Sequence, residues 1–429
     1  MTAVKKPKTL EIVNIDKYNQ YMNSPVYLSA REAATELGVQ PATLYAYVSR
    51  GLIRSTPGPG KQRRYDASDV RALQTRRDRD PAPGSGLMAR ADEASATPLL
   101  QTRLTMITAD GPYYRGHAVA ELAQTSSLEA VATLLWGADQ DPFAGISEWS
   151  AEIAEVETDG FFGFVAPEAL PPLERLICRF ATWPTVDRSA SAQAPNLLME
   201  KGARLLYAGV SALVDQPISQ RPLHVQMADA WGVEDAAGRD LIRAALVLCA
   251  DHELNTSAYA VRCAASTRAP LHACLIAGLG AFSGPRHGAH SDRVQAWLRD
   301  IDEPDTVDPV FAERLNRGED LPGFGHLLYE KADPRAAMLL KRLQETAPHS
   351  LFLQTMPYVL TAGRSYYGLS PNIDFALVAL QRALRLPKEA PKLLFCAGRL
   401  VGWIAHALEQ YQAKEQIRPR ANYIGPRPA

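Results

Sequence analysis

From residue 98 onward, apolar residues recur every three to four positions, and alternating apolar–polar runs are few. The pattern is clearest in LEAVATLLWG, DLIRAALVLCADHEL, APLHACLIAGLGAFSG and PKLLFCAGRLVGWIAHALEQ. This period places apolar side chains along one helical stripe and, in the last stretch, around the whole helix. The expected fold class is therefore mainly α. A shorter pattern precedes it, beginning at Tyr27 with YLSAREAATELGVQPATLYAYVSRGLIRS. Ser29 followed by Glu32 has capping-box spacing, and Ala33, Ala34 and Leu37 then form one apolar stripe. Gly38 ends that helix, and Pro41 suits the first position of the next. Leu44, Tyr47 and Val48 give the second helix its inner face before Gly51 closes it. Two short helices joined by a tight turn predict a helix-turn-helix. The Pro/Gly turn at 57–60 and the following KQRRY read as a wing, and residues 67–73 as a further helix. The chain thus divides into a lead-in (1–26), a small winged helix-turn-helix (27–79), a linker (80–97) and a large helical domain (98–426). The linker is rich in Pro, Gly, Ala and Ser and has no period.

Composition agrees with that division. A length of 429 residues suggests roughly two to three domains, and 46% hydrophobic with 22% charged residues is ordinary for a globular protein. No apolar run approaches the roughly 18 to 20 residues of a membrane span, and the polar start carries no signal-peptide core. The five cysteines form no CxxC pair or zinc-like cluster, so no metal is expected, and buried thiols in a reducing cytoplasm are the expectation. Charge adds one feature. Residues 50–79 hold nine Lys or Arg against three Asp, a local +6 on a chain of net charge −1. That segment alone is suited to a polyanion such as DNA, with Arg50, Lys61, Arg63 and Arg64 as the candidate contacts.

Candidate chemistry lies in the helical domain. His252 ends DLIRAALVLCADHELN, on the helical face expected for Leu241, Ala245 and Leu248. His287 sits in GPRHG and His326 in PGFGH, where glycines bend the chain or let something approach closely. Arg335 follows in DPR, and Asp374 sits in SPNIDF at the entrance to an apolar segment. Arg399 is the lone charge in LLFCAGRLVGWIAHAL. A buried guanidinium needs an anion, either a distant Asp or Glu or a carboxylate ligand. His272 and His406, within apolar helices, read as structural.

Two resemblances follow. YLSAREAATELGV, TLYAYVSRGLI and RRYDASDVRAL resemble the winged helix-turn-helix of MerR-like and excisionase-like DNA-binding proteins. Residues 98–426 resemble the citrate synthase family through DGPYYRGHAVAELA, ADHELNTS, GPRHG, LPGFGHLLYEKADPR, SPNIDF, GRLVGWIAHALEQ and IRPRANYIGP, in that order. The resemblance implies helical large and small domains, the small one within about 289–388. It also implies condensation of acetyl-CoA with oxaloacetate and hydrolysis of the product thioester. Asp374 matches the base that takes a methyl proton, His287 the donor to the thioester oxygen, and His326 the group that polarises the ketone. Arg335, Arg399 and Arg418 match the dicarboxylate-binding arginines, and His252 a further substrate ligand. Arg418 would complete the site of a neighbouring subunit, so a homodimer is implied. Acyl-CoA enters as co-substrate, and no metal or redox cofactor is called for.

The chain departs from both patterns. Tyr45 stands where many MerR relatives have Arg. In GHLLYE, Leu327 and Glu330 replace basic residues that lie toward the CoA phosphates in the family. Two other readings stay open: propionyl-CoA as donor, giving 2-methylcitrate, and a DNA-binding regulator that uses the enzyme fold to sense a ligand.

Overall fold

The computed structural model describes residues 27–37, 39, 41–49, 52–58, 63–66, 69–70, 73, 100–150, 170–301, 303–329, 331–419 and 425. The expected lead-in and linker, together with Arg50, Lys61 and Glu330, lie outside those residues. Two compact units divide the chain, Met1–Leu99 and Leu100–Ala429.

The first unit contains β1 (Tyr27–Ser29), α1 (Ala30–Glu36), α2 (Pro41–Ser49), β2 (Ser55–Pro57) and β3 (Arg63–Asp66). Ser29 Oγ accepts from Glu32 N while Glu32 Oε2 accepts from Ser29 N, so the capping box is formed in full. The three strands pair antiparallel in the order β1–β3–β2, with Leu28 opposite Tyr65 and Thr56 opposite Arg64. β2 and β3 are the wing that the sequence suggested. β1 was not foreseen, because three residues ahead of an N-cap are too few to show an alternating pattern. Ala33, Ala34, Leu37, Leu44, Ile53, Tyr65 and Val70 form the core of this unit.

The second unit opens with a hairpin sheet of β4 (Thr105–Thr108), β5 (Gly111–Tyr114) and β6 (His117–Ala118), which the helical reading had also missed. Among the described residues the later elements are helices: α3 (Val119–Thr125), α4 (Leu128–Trp136), α5 (Pro172–Ala181), α6 (Trp183–Val186), α7 (Pro195–Val214), α8 (Leu223–Ala230), α9 (Ala236–Cys249), α10 (Thr256–Ser266), α11 (Leu271–Phe282), α12 (His290–Leu298), α13 (Pro304–Asn316), α14 (Pro334–Thr346), α15 (Leu351–Tyr367), α16 (Ile373–Leu384) and α17 (Ala390–Gln412). The most deeply set is α17, buried along nearly its whole length and packed by α4, α7, α9, α10 and α11. Its apolar girth made this readable in advance. Helices α12 to α16 pack largely on one another and join the rest through α14 on α9 and α16 on α17.

Small residues set the closest crossing. A Cβ at Gly398 would lie 2.6 Å from Leu246 O, and one at Gly402 would lie 2.5 Å from Ala250 O. Only glycine lets α17 come this near the end of α9. Among the described residues, no helix is long and apolar enough to cross a membrane.

Candidate active site

The crossing of α17 over α9 places Arg399 beneath the surface of the second unit, 1% exposed. Arg399 Nε donates to Cys249 O at 3.0 Å, and its guanidinium stacks over Phe395 at 4.9 Å. Arg399 Nη2 is buried and bonds nothing in the described structure. The sequence had posed a choice between an internal acid and a carboxylate ligand. The structure gives no carboxylate in contact, and Asp251 as the strongest internal attraction.

Arg335, in the first turn of α14, is handled differently. Asp333 is the N-cap of α14, and its carboxylate takes both Nε (3.0 Å) and Nη2 (2.9 Å) of Arg335. Asp333 Oδ2 also accepts Ile373 N at 3.0 Å, tying α14 to the first residue of α16. This buried carboxylate went unremarked in the sequence, although the motif DPR contains it.

Asp374 stands in the first turn of α16, whose N-cap is Asn372. It is a helix residue, at the entrance to the apolar segment of SPNIDF. Its Oδ1 is shut off from solvent without a partner, and burial pushes the carboxyl up to about 7 despite the opposing charges of Arg335 and Arg399.

The PGFGH loop is fastened to the same helix end. Gly325 N donates to Ser370 O and Asn372 N to Gly323 O, each at 2.8 Å, and Asn372 Nδ2 reaches Gly325 O at 3.0 Å. Gly323 and Gly325 take φ of +86° and +77°, which is why glycine alternates there. The loop holds His326 3.5 Å from Arg335 Nη2. Leu328 N donates to His326 Nδ1 at 3.1 Å, so the neutral ring carries its proton on Nε2. Burial lowers its pKa to about 4, and the ring is neutral near pH 7. Its Nε2–H and the Arg335 donor thus converge.

His252 does not lie on the face of α9, as the apolar stripe had suggested. The helix ends at Cys249, and the chain turns through Glu253 at φ +56°. From that turn His252 packs edge-on to His326, ring centroids 5.2 Å apart, and its Nε2 hydrogen-bonds Tyr329 OH at 2.9 Å. Burial, then the charges of Arg335 and Arg399, push its pKa well below the usual value. Tyr329 is a site residue that the sequence did not single out; its only signal was its place in GHLLYE.

His287 follows the end of α11. Its ring stacks edge-on to Phe282 at 5.3 Å, a contact that a Cβ at Gly288 would block. Its Nε2 lies 2.7 Å from Ser257 Oγ, which accepts Trp403 Nε1 at 3.1 Å. Burial, reinforced by Arg399, lowers the pKa of His287 to about 4.

Arg418 is exposed beyond the end of α17 and is not brought to these residues within one chain. In the first unit, Arg63 and Arg64 are both exposed on β3, and Tyr45 is exposed on α2. Among the described residues, no group of three or more His, Cys, Asp or Glu could hold a metal ion.

A shielded carboxyl of raised pKa, neutral imidazoles and buried guanidinium groups belong to an enzyme that moves protons while holding an anionic substrate. The chain belongs to the citrate synthase family: the model for the citrate synthase C-terminal domain matches residues 93–420, and a helix-turn-helix domain matches residues 27–78. It is 28% identical over 335 residues to citrate synthase 2 of Bacillus subtilis, covering 73% of this chain and 90% of that one. It is 26% identical over 341 residues to 2-methylcitrate synthase 1 of Corynebacterium glutamicum, covering 73% and 88%. The fold matches that of citrate synthase from the thermophilic archaeon Thermoplasma acidophilum, a ternary complex with carboxymethyl coenzyme A and oxaloacetate. The TM-score is 0.64 at 21% identity, covering 79% of this chain and 97% of that one.

Proposed function

We propose that the protein condenses acetyl-CoA with oxaloacetate and hydrolyses the resulting thioester to citrate and CoA. The observation that carries this reading is the junction of α14, α16 and the PGFGH loop. There the charges of Arg335 and Arg399 act on a solvent-shielded Asp374, and the His326 Nε2–H lies 3.5 Å from Arg335 Nη2, two donors side by side that suit a shared oxygen acceptor.

The ionised Asp374 takes a proton from the methyl carbon of the acetyl thioester. His287 donates a hydrogen bond to the thioester oxygen as the enol forms. Ser257 Oγ gives its own proton to Asn255 Oδ1 at 2.7 Å, so Nε2 of the neutral His287 ring, 2.7 Å from that hydroxyl, carries the ring proton and turns from the serine to serve that oxygen. The enol carbon then attacks the ketone of oxaloacetate, and His326 Nε2–H stabilises and protonates the new alkoxide. Water cleaves the citryl thioester and makes the sequence irreversible. Arg335 and Arg399 hold the two carboxylates, planar forks against planar acceptors, and His252 braces the ketone end. Arg418 serves the site of a second subunit in a homodimer. Helices α12 to α16, as the small domain, close over bound oxaloacetate and exclude water.

The test is thiol release with oxaloacetate plus acetyl-CoA, run beside propionyl-CoA. Turnover with neither thioester rejects the reading. Turnover favouring propionyl-CoA selects 2-methylcitrate synthesis instead, an outcome that the similarity to the Corynebacterium protein keeps open.

The helix-turn-helix adds DNA binding through Arg63 and Arg64 of the wing, with Lys61 two residues before them in sequence and Arg50 directly after Ser49. Binding to genomic fragments should weaken steeply as salt rises. No retention at low salt would exclude DNA as its partner.

A further inference from the structure

Beyond the site residues lies a polar cluster that the proposed chemistry leaves unused. Asp251 and His406 are both 0% exposed, with His406 Nε2 3.2 Å from Asp251 Oδ1. Thr105 Oγ1 of β4 donates to Asp251 Oδ2 at 2.5 Å, and Glu253 N donates to the same oxygen at 3.3 Å. Tyr114 OH of β5 bonds both the amide and the carbonyl of Asp251, each at 3.0 Å. A buried carboxylate is costly unless something is gained from its charge.

Four consecutive residues show what that charge faces. Cys249 O holds Arg399 Nε, Ala250 O takes Gly402 N at 3.0 Å, Asp251 lies against the α17 backbone, and His252 enters the pocket. A Cβ at Gly402 would sit 2.5 Å from Asp251 Oδ1, so glycine there is what admits the carboxylate. His406, one turn further along α17, and Thr105 keep Asp251 below the usual carboxylate range despite its burial, helped by Arg399. Arg335 meets the pocket already paired in contact with Asp333. Arg399 makes no such contact ion pair among the described residues, and Asp251 attracts it through space.

We propose that Asp251 is an electrostatic positioning residue for the substrate site: its buried charge offsets Arg399 and so limits how tightly the dicarboxylate is held. This rests on Arg399 being a carboxylate ligand. The device keeps the apo pocket near neutrality and leaves the Arg399 attraction shared between an internal anion and the substrate. An internal anion that competes in this way lets an anionic product depart. Had the carboxylate only a tethering role, its loss would loosen Arg399 and weaken binding.

The experiment is Asp251→Asn in the full chain, which keeps an oxygen for Thr105 and Glu253 N, removes the charge and turns an amide NH2 toward His406 Nε2. The oxaloacetate dissociation constant, read by titration calorimetry, should fall roughly ten-fold, while the melting temperature without ligand drops. The double variant Asp251→Asn/Arg399→Leu should melt above Asp251→Asn alone, because the buried guanidinium that the single change leaves unpaired is then gone. Oxaloacetate binding by Asp251→Asn that is unchanged or weaker overturns the proposal. So does a double variant no more stable than the single one, including the case in which neither folds. Arg399→Leu alone separates the two ideas: unchanged oxaloacetate affinity in that variant rejects Arg399 as a ligand, and the active-site reading with it.

Discussion

At the scale of single residues, the proposed chemistry turns on a carboxyl kept from water. Asp374 is raised from 3.8 to about 7 by burial, while His287 and His326 are lowered to about 4. The proposed base must be ionised and both imidazoles neutral. Turnover of the free enzyme should therefore rise with pH through about 7, with no second limb between 5 and 7 from either histidine. A kcat/KM profile flat from pH 5.5 to 8 would reject Asp374 as base. The same carboxyl costs stability. A native carboxyl of raised pKa binds its proton more tightly than the unfolded chain does. Its cost is absent below about 3.8, grows as pH rises, and is complete above about 7. Asp374→Asn mimics the protonated form. It should lose at least about a thousand-fold in kcat and melt higher than the parent at pH 8, with the gain vanishing near pH 4. Oxaloacetate binding should survive, because Arg335, Arg399 and His252 are untouched. Calorimetric melting at the two pH values checks the sign.

At the scale of elements, positions are set by a few close approaches, and these differ in how visible they are in sequence. The apolar girth of α17 announced a buried helix, and the lone Arg399 within it announced a buried charge. The Gly-x-x-x-Gly spacing of Gly398 and Gly402 is the local trace of the close crossing, and the capping box of Ser29 and Glu32 was fully legible. The end of α9 was not. The apolar period runs on past Cys249, so His252 looked helical, whereas a residue with positive φ at Glu253 turns the chain into the pocket. Asp333 lies only two residues from Arg335, but its bond to the α16 amide spans 40 residues of chain, which no local pattern encodes. The hairpin of β4 to β6 is too short to alternate clearly. The close crossing yields its own prediction. Gly398→Ala forces a methyl to within 2.6 Å of Leu246 O and 2.9 Å of Cys249 Cβ, so α17 must lift from α9. Such overpacking costs about 1–3 kcal/mol. The shift falls beside Arg399, so the denaturation midpoint and oxaloacetate affinity should drop together. A stable variant with unaltered substrate binding would show that the crossing does not place Arg399.

At the scale of the whole molecule, one chain gathers His252, His287, His326, Arg335, Asp374 and Arg399 but leaves Arg418 exposed past the end of α17. If Arg418 completes the site of a second subunit, each active site draws on two chains, and the deficits of two defective chains can complement. Arg418→Ala homodimers lack the donated guanidinium at both sites, and Asp374→Asn homodimers lack the base at both. In a mixed dimer, the subunit with an intact Asp374 receives Arg418 from the Asp374→Asn subunit, so one of its two sites is whole. The other site carries both defects. Random exchange makes about half of all dimers mixed, each with one good site, so activity should recover to about one quarter of the parental value per site. Subunits exchanged by mild denaturation and renaturation, then assayed for thiol release, give the measurement. Recovery well above either parent variant requires an arginine given across the interface. A mixture no more active than the average of its components places Arg418 outside the partner's site and leaves each chain to work with the residues it gathers alone.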